Sequence, residues 1–443
     1  MKRFLPLLGL MLTVAACNPG IEYPDEVIDP GQIEQPEPVV PDTPEEPPQP
    51  VVLEKLPQLE ITTVGGAAVD SKEDYVRATI RLSGDNGTLE AEGKVRGRGN
   101  ATWDYEKKPY KIKLDEKMSL CGFPADRDWV LLAEYCDKSL MRTAWMCALS
   151  RLAGMPYTIN YQYIDLTLNG EYLGIYLLAD QVERASHRVN ISSDGYLFEN
   201  DNYWYNEPLY FSTATHHTYF TFKYPDADDE QITRISDNFY YIRDFMNDME
   251  TALYGPDFCD PQMGYRAYLD AESFARWYLV NELLGNYDPN LYYVLDSPGA
   301  LLQMWPLWDA EWSLGLAARG EHGGWASPPA TSPVEFSVWS TEKYFARLMK
   351  DPWFVDLIRL QWADLKPLLP EFRRQMHEKA ISLQKVQEAN FERWPLLDEY
   401  VSVGLIALGS WEAEIAYIED FFEKRVEWFD RFISGFGTEE PNE

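Results

Sequence analysis

Gly97-Arg98-Gly99-Asn100-Ala101-Thr102-Trp103, followed shortly by Lys107-Lys108-Pro109-Tyr110-Lys111-Ile112-Lys113-Leu114, sets a glycine-rich turn against an alternating strand pattern. Such a turn lets backbone amides come close to a phosphate, and nearby basic groups neutralise it. Lys111 and Lys113 are two residues apart, so on a strand they share a face. The same residues read equally as a hairpin loop with solvated lysines along an edge strand. The local excess of base stands out because the 443-residue chain carries a formal charge of −33.

The flanking segments are strand-like. Residues 56–63 (LPQLEITT), 74–82 (DYVRATIRL) and 88–96 (TLEAEGKVR) precede the turn, and 107–115 (KKPYKIKLD) follows it. Their apolar or β-branched residues alternate and are broken by turn chemistry such as GDNG. Residues 137–154 (DKSLMRTAWMCALSRLAG) then predict a helix, with Asp137 as N-cap and Gly154 just past the end. Asn169-Gly170 marks a hairpin within 163–180. Further strands are expected at 187–191 and 195–200.

Beyond this point the pattern is mostly helical, over roughly 230–254, 271–285, 353–364, 369–392 and 411–434. Two strand-like pieces interrupt it, 290–295 (NLYYVL) and 301–308 (LLQMWPLW). There is no internal repeat. The expected class is α+β: a mixed β-sheet lobe over about 56–228, a largely helical lobe over about 229–436, and a tail at 437–443. Aromatic residues make up 14% of the chain, enough for a substantial core.

The N-terminus reads as an address. Lys2 and Arg3 precede an apolar run, Phe4 to Val14, too short to span a bilayer. Ala15 and Ala16 lead into Cys17, a lipobox in which the thiol takes lipid and becomes the new N-terminus. Residues 1–17 are therefore expected to be a lipoprotein signal peptide, and two or more acyl chains give stable membrane anchoring. Residues 18–55 are rich in proline and acid, as expected of an extended, disordered tether. Asn18 and Pro19 do not resemble the Asp signal that retains lipoproteins at an inner membrane, so the expected location is the outer membrane or cell surface. The acidic balance argues against a nucleic-acid partner. No oligomeric state follows from the residues.

Cys121, Cys136, Cys147 and Cys259 match no zinc spacing. Cys147, on an apolar helical stripe, reads as a small buried hydrophobe. Two other segments carry candidate chemistry. Asn286-Tyr287-Asp288-Pro289-Asn290 sits at a helix-to-strand junction and reads as a metal-plus-base cluster or as an Asx-rich turn. Trp308-Asp309-Ala310-Glu311 places two carboxylates two residues apart, a spacing that suits a hard cation such as Mg²⁺ on an extended segment. The alternative is one buried acid and one exposed one.

From about Leu59 to about Gly315 these blocks, in this order, resemble the CotH kinase-like family, named for a spore-coat protein. The likeness is strongest in GRGNATW…KKPYKIKLDEK, GFPADRDWVLLAEYCDKSLMRTAW, LNGEYLGIYLLADQVE and PLWDAEWSLG. The resemblance implies an atypical protein-kinase-like fold, whose active members transfer the γ-phosphoryl of ATP to protein hydroxyls with Mg²⁺. It implies that Gly97, Arg98, Gly99 and Asn100, with Lys108, lie near the phosphates. Lys111 or Lys113 would be the strand lysine, and Asp288 would orient and deprotonate the acceptor. Asp309 would hold Mg²⁺, assisted by Glu311 and by Asn290.

Three departures accompany the resemblance. The family's Trp-Asp-x-Asp is Trp-Asp-Ala-Glu here. The stretch after Asp288 is short, which bears on Asn290. The acid of the family's Thr-Glu-Gln becomes Asp180, one methylene shorter, where it would pair with the strand lysine. The alternative function is a kinase-like scaffold serving as a surface adhesin or glycan- or protein-binding module, with 204–222 (WYNEPLYFSTATHHTYFTF) as its aromatic surface or simply as two hairpin strands. Glycoside hydrolysis by paired acids is a weaker reading, because acids are abundant throughout.

Overall fold

The computed structural model describes residues 50–436 apart from 86, 228–230, 320–324, 327–328, 335–340 and 405. The expected signal peptide with Cys17, tether residues 18–49 and tail 437–443 lie outside the described residues. At the end of the expected tether, Leu53 N donates to Ser382 O at 3.0 Å, so the chain at Leu53 is tied to α6.

Seven strands close into a barrel in the order β1-β2-β3-β4-β5-β7-β6. They are β1 (Gln58–Thr63), β2 (Val76–Gly84), β3 (Gly87–Gly97), β4 (Tyr110–Met118), β5 (Asp126–Leu132), β6 (Tyr161–Leu168) and β7 (Glu171–Asp180). All pairs are antiparallel except the closing one, where β1 runs parallel to β6. Closure removes the exposed edges that an open sheet would present. The strand alternation sets which side chains fill the barrel: Ala78, Ile80 and Leu82 of β2 and Tyr110, Ile112 and Leu114 of β4 are buried inside it. Lys111 and Lys113 share the opposite face of β4.

A second sheet has the order β12-β11-β8-β10-β9, with β8 (Tyr196–Asn200), β9 (Tyr210–Ser212), β10 (Tyr219–Tyr224), β11 (Leu291–Leu295) and β12 (Gln303–Met304). Strands from either side of residue 229 are therefore hydrogen-bonded in one sheet, as β11 is with β8. A two-residue pair, β13 (Ala318–Arg319) with β14 (Trp325–Ala326), stands apart. The helices are α1 (Arg142–Leu152), α2 (Asp237–Tyr254), α3 (Ala271–Leu284), α4 (Thr341–Leu348), α5 (Pro352–Leu365), α6 (Leu369–Leu383), α7 (Gln387–Arg393) and α8 (Trp411–Gly435). One hydrophobic core joins the second sheet to them: Phe198, Phe220 and Tyr293 from the sheet, Trp277 of α3 stacked on Phe345 of α4, and Phe422 of α8.

Several local expectations change. Residues 187–191 form only an isolated bridge, Arg184 with Val189, rather than a strand. The helix expected over 369–392 is two, α6 and α7. The strand β5 was hidden by its polar start, Asp126-Arg127-Asp128. The helix expected from 137 begins at Arg142 with Met141 at its N-cap, so Asp137 is not the cap; its carboxylate, five residues ahead, accepts from Ser139 N at 3.0 Å and from Arg142 N at 2.7 Å. The four described cysteines are free thiols, and Cys147 is buried. No helix among the described residues is long and apolar enough to cross a membrane.

The helical part is pinned by buried charge. Arg425 of α8 donates through Nε and Nη2 to Glu282 O, through Nη2 to Glu282 Oε2 at 2.7 Å, and through Nη1 to Ser332 O. Neither charged side chain reaches solvent. A second enclosed pair, Lys138 with Glu414 at 3.3 Å, ties the start of α8 to the segment before α1.

Candidate functional site

A cleft of about 240 Å³ opens where the glycine-rich turn after β3, the segment joining β5 to α1, and the stretches before β11 and after β12 meet. Of the residues singled out in the sequence, Arg98, Gly99, Asn100, Asp288, Asn290, Asp309 and Glu311 line it. They come from three segments far apart in the chain, and only the tertiary fold brings them together.

The turn is shaped by contacts a side chain would prevent. Gly99 has φ +86°, and a Cβ there would collide with Thr102 Oγ1. Gly97 is closely packed for another reason: its Cβ position is filled by the Trp103 ring. It lies outside the cleft lining, so its role is to seat Trp103. Lys108 is also turned to Trp103, donating from Nζ to Trp103 O at 2.6 Å and lying over the ring. Arg98 projects into the cleft, its guanidinium 5.6 Å from the Trp308 ring centroid. Among the described residues it has no ion pair or side-chain hydrogen bond. Burial lowers its pKa, opposed mainly by Asp309.

The strand lysines do not reach the cleft. Lys111 forms an ion pair with Asp128 at 3.1 Å across the β4–β5 ladder, and Lys113 is exposed on the same outer face. Their alternation with buried Tyr110, Ile112 and Leu114 requires this placement. The lysine that lines the cleft is Lys107, which is 2% exposed. Its Nζ donates to Ile175 O at 2.5 Å and to Asn390 Oδ1 at 3.0 Å. Asp180, expected to pair with a strand lysine, instead accepts from Tyr157 Oη and from Asn160 N and Nδ2, with Arg188 Nε at 3.5 Å.

Burial pushes Lys107 down to about 7, against the opposing pull of Glu134, Glu311 and Asp165. The unfolded chain therefore holds more protons at this position than the folded one between about pH 7 and the ordinary lysine range. Folding stability then rises with pH across that window and levels off at its lower value below about pH 7, where both states are protonated. Lys107→Met is expected to flatten this slope, measured as the change in denaturation midpoint between pH 7 and 10. A slope identical to wild type would show that Lys107 is not the group responsible.

Opposite the cations stand carboxylates. Asp309 is open to the cleft, yet protein encloses that cleft, so burial raises it to about 7, with Asp288 and Glu311 adding repulsion and Arg98 opposing. No protein donor hydrogen-bonds its carboxylate among the described residues. Its backbone is left-handed (φ +63°) and is held there by Asn286, whose Nδ2 donates to Asp309 O at 3.0 Å. The same Asn286 accepts from Asp288 N at 3.3 Å through Oδ1, so one buried amide sets the spacing of both aspartates. Asn286 stood in the Asn-rich junction, but nothing local to the sequence revealed this bridging role.

Glu311 and Asn290 are partly committed to protein. Glu311 Oε1 accepts from Cys136 N at 2.7 Å, and burial raises its carboxyl to about 7. Asn290 Nδ2 donates to Glu199 Oε1 at 2.7 Å, and Glu199 is ion-paired with Lys223 at 3.0 Å. Deeper in the cleft is Glu134, which sequence reasoning passed over. It is 6% exposed on left-handed backbone (φ +49°). Oε1 accepts from Thr143 Oγ1 at 2.9 Å, while Oε2 has no partner. Burial, then Glu311 and Asp137, raise it well above the usual carboxylate value. Leu132, Ala133, Met146 and Ile159 supply an apolar wall beside it.

The cleft thus offers an unpaired guanidinium and a buried lysine on one side and closely spaced carboxylates on the other. Among the described residues no group of three or more His, Cys, Asp or Glu side chains could hold a metal ion by itself. Mg²⁺ keeps several waters and is commonly held by one or two carboxylates plus substrate phosphates. Asp309 with Asp288 beside it fits that requirement: their mutual repulsion is what a cation would relieve.

No curated protein matches the chain. A family model described as CotH kinase protein matches residues 95–429, a span that includes the glycine-rich turn, both aspartates and Asn390. That match extends over most of the chain, which therefore belongs to the CotH kinase family.

Proposed function

We propose that this chain is an ATP- and Mg²⁺-dependent phosphotransferase that modifies hydroxyls of a surface protein, held at the outer membrane or cell surface by lipid on Cys17. The observation that carries the reading is the unpaired Arg98 guanidinium in the same cleft as Asp288 and Asp309. Phosphoryl transfer asks a protein mainly for positioning and charge neutralisation. Arg98 is suited to phosphate oxygens, because its fork of donors matches them geometrically. The apolar wall at Leu132, Ala133, Met146 and Ile159 offers a dry surface to a purine. Asp309 would hold Mg²⁺, with Glu311 and Asn290 completing its surroundings, and bound Mg²⁺ would offset charge on the phosphates. Asp288 accepts the proton of the attacking hydroxyl.

Calorimetric titration of the full chain with ATP, with and without Mg²⁺, tests this reading. Binding is expected only with Mg²⁺, and Asp309→Ala is expected to weaken it by at least about tenfold, the scale of one lost charge-assisted contact. No binding at millimolar ATP would sink the reading. Undiminished binding by Asp309→Ala would refute the metal assignment alone.

One observation favours the alternative of a binding module. Tyr203 and Tyr205 are 43% and 61% exposed, and Tyr203 lines the cleft. Between them Trp204 is stacked on Tyr219 with ring centroids 4.2 Å apart, which fixes the turn that presents them. The same titration decides between the readings.

A further inference from the structure

Lys107 lies on the segment between the glycine-rich turn and β4, but what holds it comes from the other end of the chain. Asn390 of α7 is 283 residues away and is buried. Its Oδ1 accepts two hydrogen bonds, from Lys107 Nζ and from Ile175 N, both at 3.0 Å. Ile175 returns its own carbonyl to Lys107 Nζ at 2.5 Å. The lysine, the backbone N–H and C=O of one β7 residue and one helix side chain therefore form a closed set. An ammonium has three donors, and this arrangement takes two of them.

The surroundings are built to admit Asn390. Gly174 has φ +94°, and a Cβ there would lie 2.6 Å from Asn390 Oδ1 and 3.1 Å from Trp394 Nε1. One turn further along the same helix end, Trp394 Nε1 donates to Leu173 O at 2.8 Å and Arg393 Nε to Tyr172 O at 3.1 Å. Three residues of β7, Tyr172, Leu173 and Ile175, thus present carbonyls to α7 and its end, or to the lysine that α7 holds. Both direct partners of Lys107 Nζ are neutral. A carboxylate in either place would hold the ammonium more strongly but would also cancel the charge it brings to the cleft.

We infer that Asn390 is a positioning residue that fixes Lys107 in the nucleotide cleft through a neutral clamp, which makes α7 part of that site. The inference rests on the nucleotide reading of the cleft for its functional half, and on hydrogen-bond geometry for its structural half.

Two measurements on the full chain separate these halves. The first is the rate at which an amine-acylating reagent labels Lys107, read by mass spectrometry without nucleotide. The second is the Mg²⁺·ATP dissociation constant. Asn390→Leu keeps the branched outline of the side chain but removes the acceptor; it is expected to raise Lys107 labelling and weaken Mg²⁺·ATP, each by about tenfold, the scale of one buried hydrogen bond to a charged group. Asn390→Asp retains the oxygen that both donors use; it is expected to keep Lys107 labelling at or below the wild-type rate while weakening Mg²⁺·ATP, because its carboxylate offsets the ammonium's charge in the cleft. Trp394→Phe is the control for a merely structural role: it loses the bond to Leu173 O, and should lower the unfolding temperature without changing either readout.

Unchanged labelling in Asn390→Leu would overturn the inference, as would labelling that rises in Asn390→Asp as it does in Asn390→Leu. If Trp394→Phe reproduces the Asn390→Leu effects, general loosening of α7 accounts for them and the positioning role falls. Wild-type chain that shows the labelling pattern but binds no Mg²⁺·ATP would support the clamp and sink the nucleotide reading. Should Asn390→Leu fail to fold, the comparison of Asn390→Asp with Trp394→Phe still decides, because the clamp requires the first not to raise labelling while it weakens Mg²⁺·ATP and the second to change neither.

Discussion

Asp288→Asn is expected to slow phosphoryl transfer by about 10²- to 10⁴-fold, the range for removing a positioned general base. The substitution is nearly isosteric, and it leaves the frame around it intact. Asp288 N donates to Asn286 Oδ1, and Asn286 Nδ2 holds Asp309 O, so the backbone that spaces the two aspartates does not depend on the Asp288 carboxylate. Nucleotide affinity should therefore change far less than rate. Single-turnover transfer from γ-labelled ATP, with the dissociation constant measured separately, distinguishes the two. A rate within a few-fold of wild type would remove Asp288 from the chemistry. A matching loss of affinity would make it a metal ligand instead.

The largest stability effect is expected at Arg425. Arg425→Met leaves Glu282 buried without its counter-charge, and breaking a buried ion pair from one side costs about 3–5 kcal/mol. That is a large share of the ~5–15 kcal/mol that holds a typical domain folded. The effect should spread beyond the pair. Arg425 Nη1 also donates to Ser332 O, so the 330–334 segment loses that tie to α8 and keeps the bond from Val334 N to the Glu282 carboxylate at 3.2 and 3.1 Å. Arg425→Met combined with Glu282→Leu removes both charges and should recover much of the loss, because apolar replacement of a whole buried pair is often near neutral. Denaturant titration of the two variants checks this. A double variant no more stable than Arg425→Met would mean that packing around α8, rather than the stranded charge, sets the cost.

Much of the barrel was legible because each strand there has one wet face and one buried face. The alternation in β2 and β4 states which residues point inward, and Asn169-Gly170 marks the β6–β7 turn. The same alternation also contained the correction to the lysines. With Tyr110, Ile112 and Leu114 inside a barrel, Lys111 and Lys113 must lie outside. Family resemblance had drawn attention to the strand, whereas the lysine with access to the cleft precedes it. Lys107 gave no local signal. Its burial is set by Ile175 and Asn390, and no pattern in a window of a dozen residues reports a partner 283 positions away.

The carboxylate pair was legible for a different reason. Asp309 and Glu311 sit in an apolar, aromatic run where charge is conspicuous. Glu134 was missed because its neighbourhood, AEYCDKS, looks like an ordinary polar connection. Only the tertiary fold shows its Oε2 buried and unpartnered. The break between α6 and α7 was also silent, since Gln384-Lys385-Val386 contains neither glycine nor proline.

The cleft draws its cations from near residue 100, its aspartates from near residue 300 and its clamp from residue 390. A chain synthesised from its N-terminus displays Arg98 and Lys107 long before Asp309 or Asn390 exists. Contacts of such high sequence separation form late, after the loop entropy between them has been lost. On the proposed reading, nucleotide affinity is thus a property of the finished polypeptide, and a chain cut short before α7 would carry the turn and the aspartates without the clamp on Lys107.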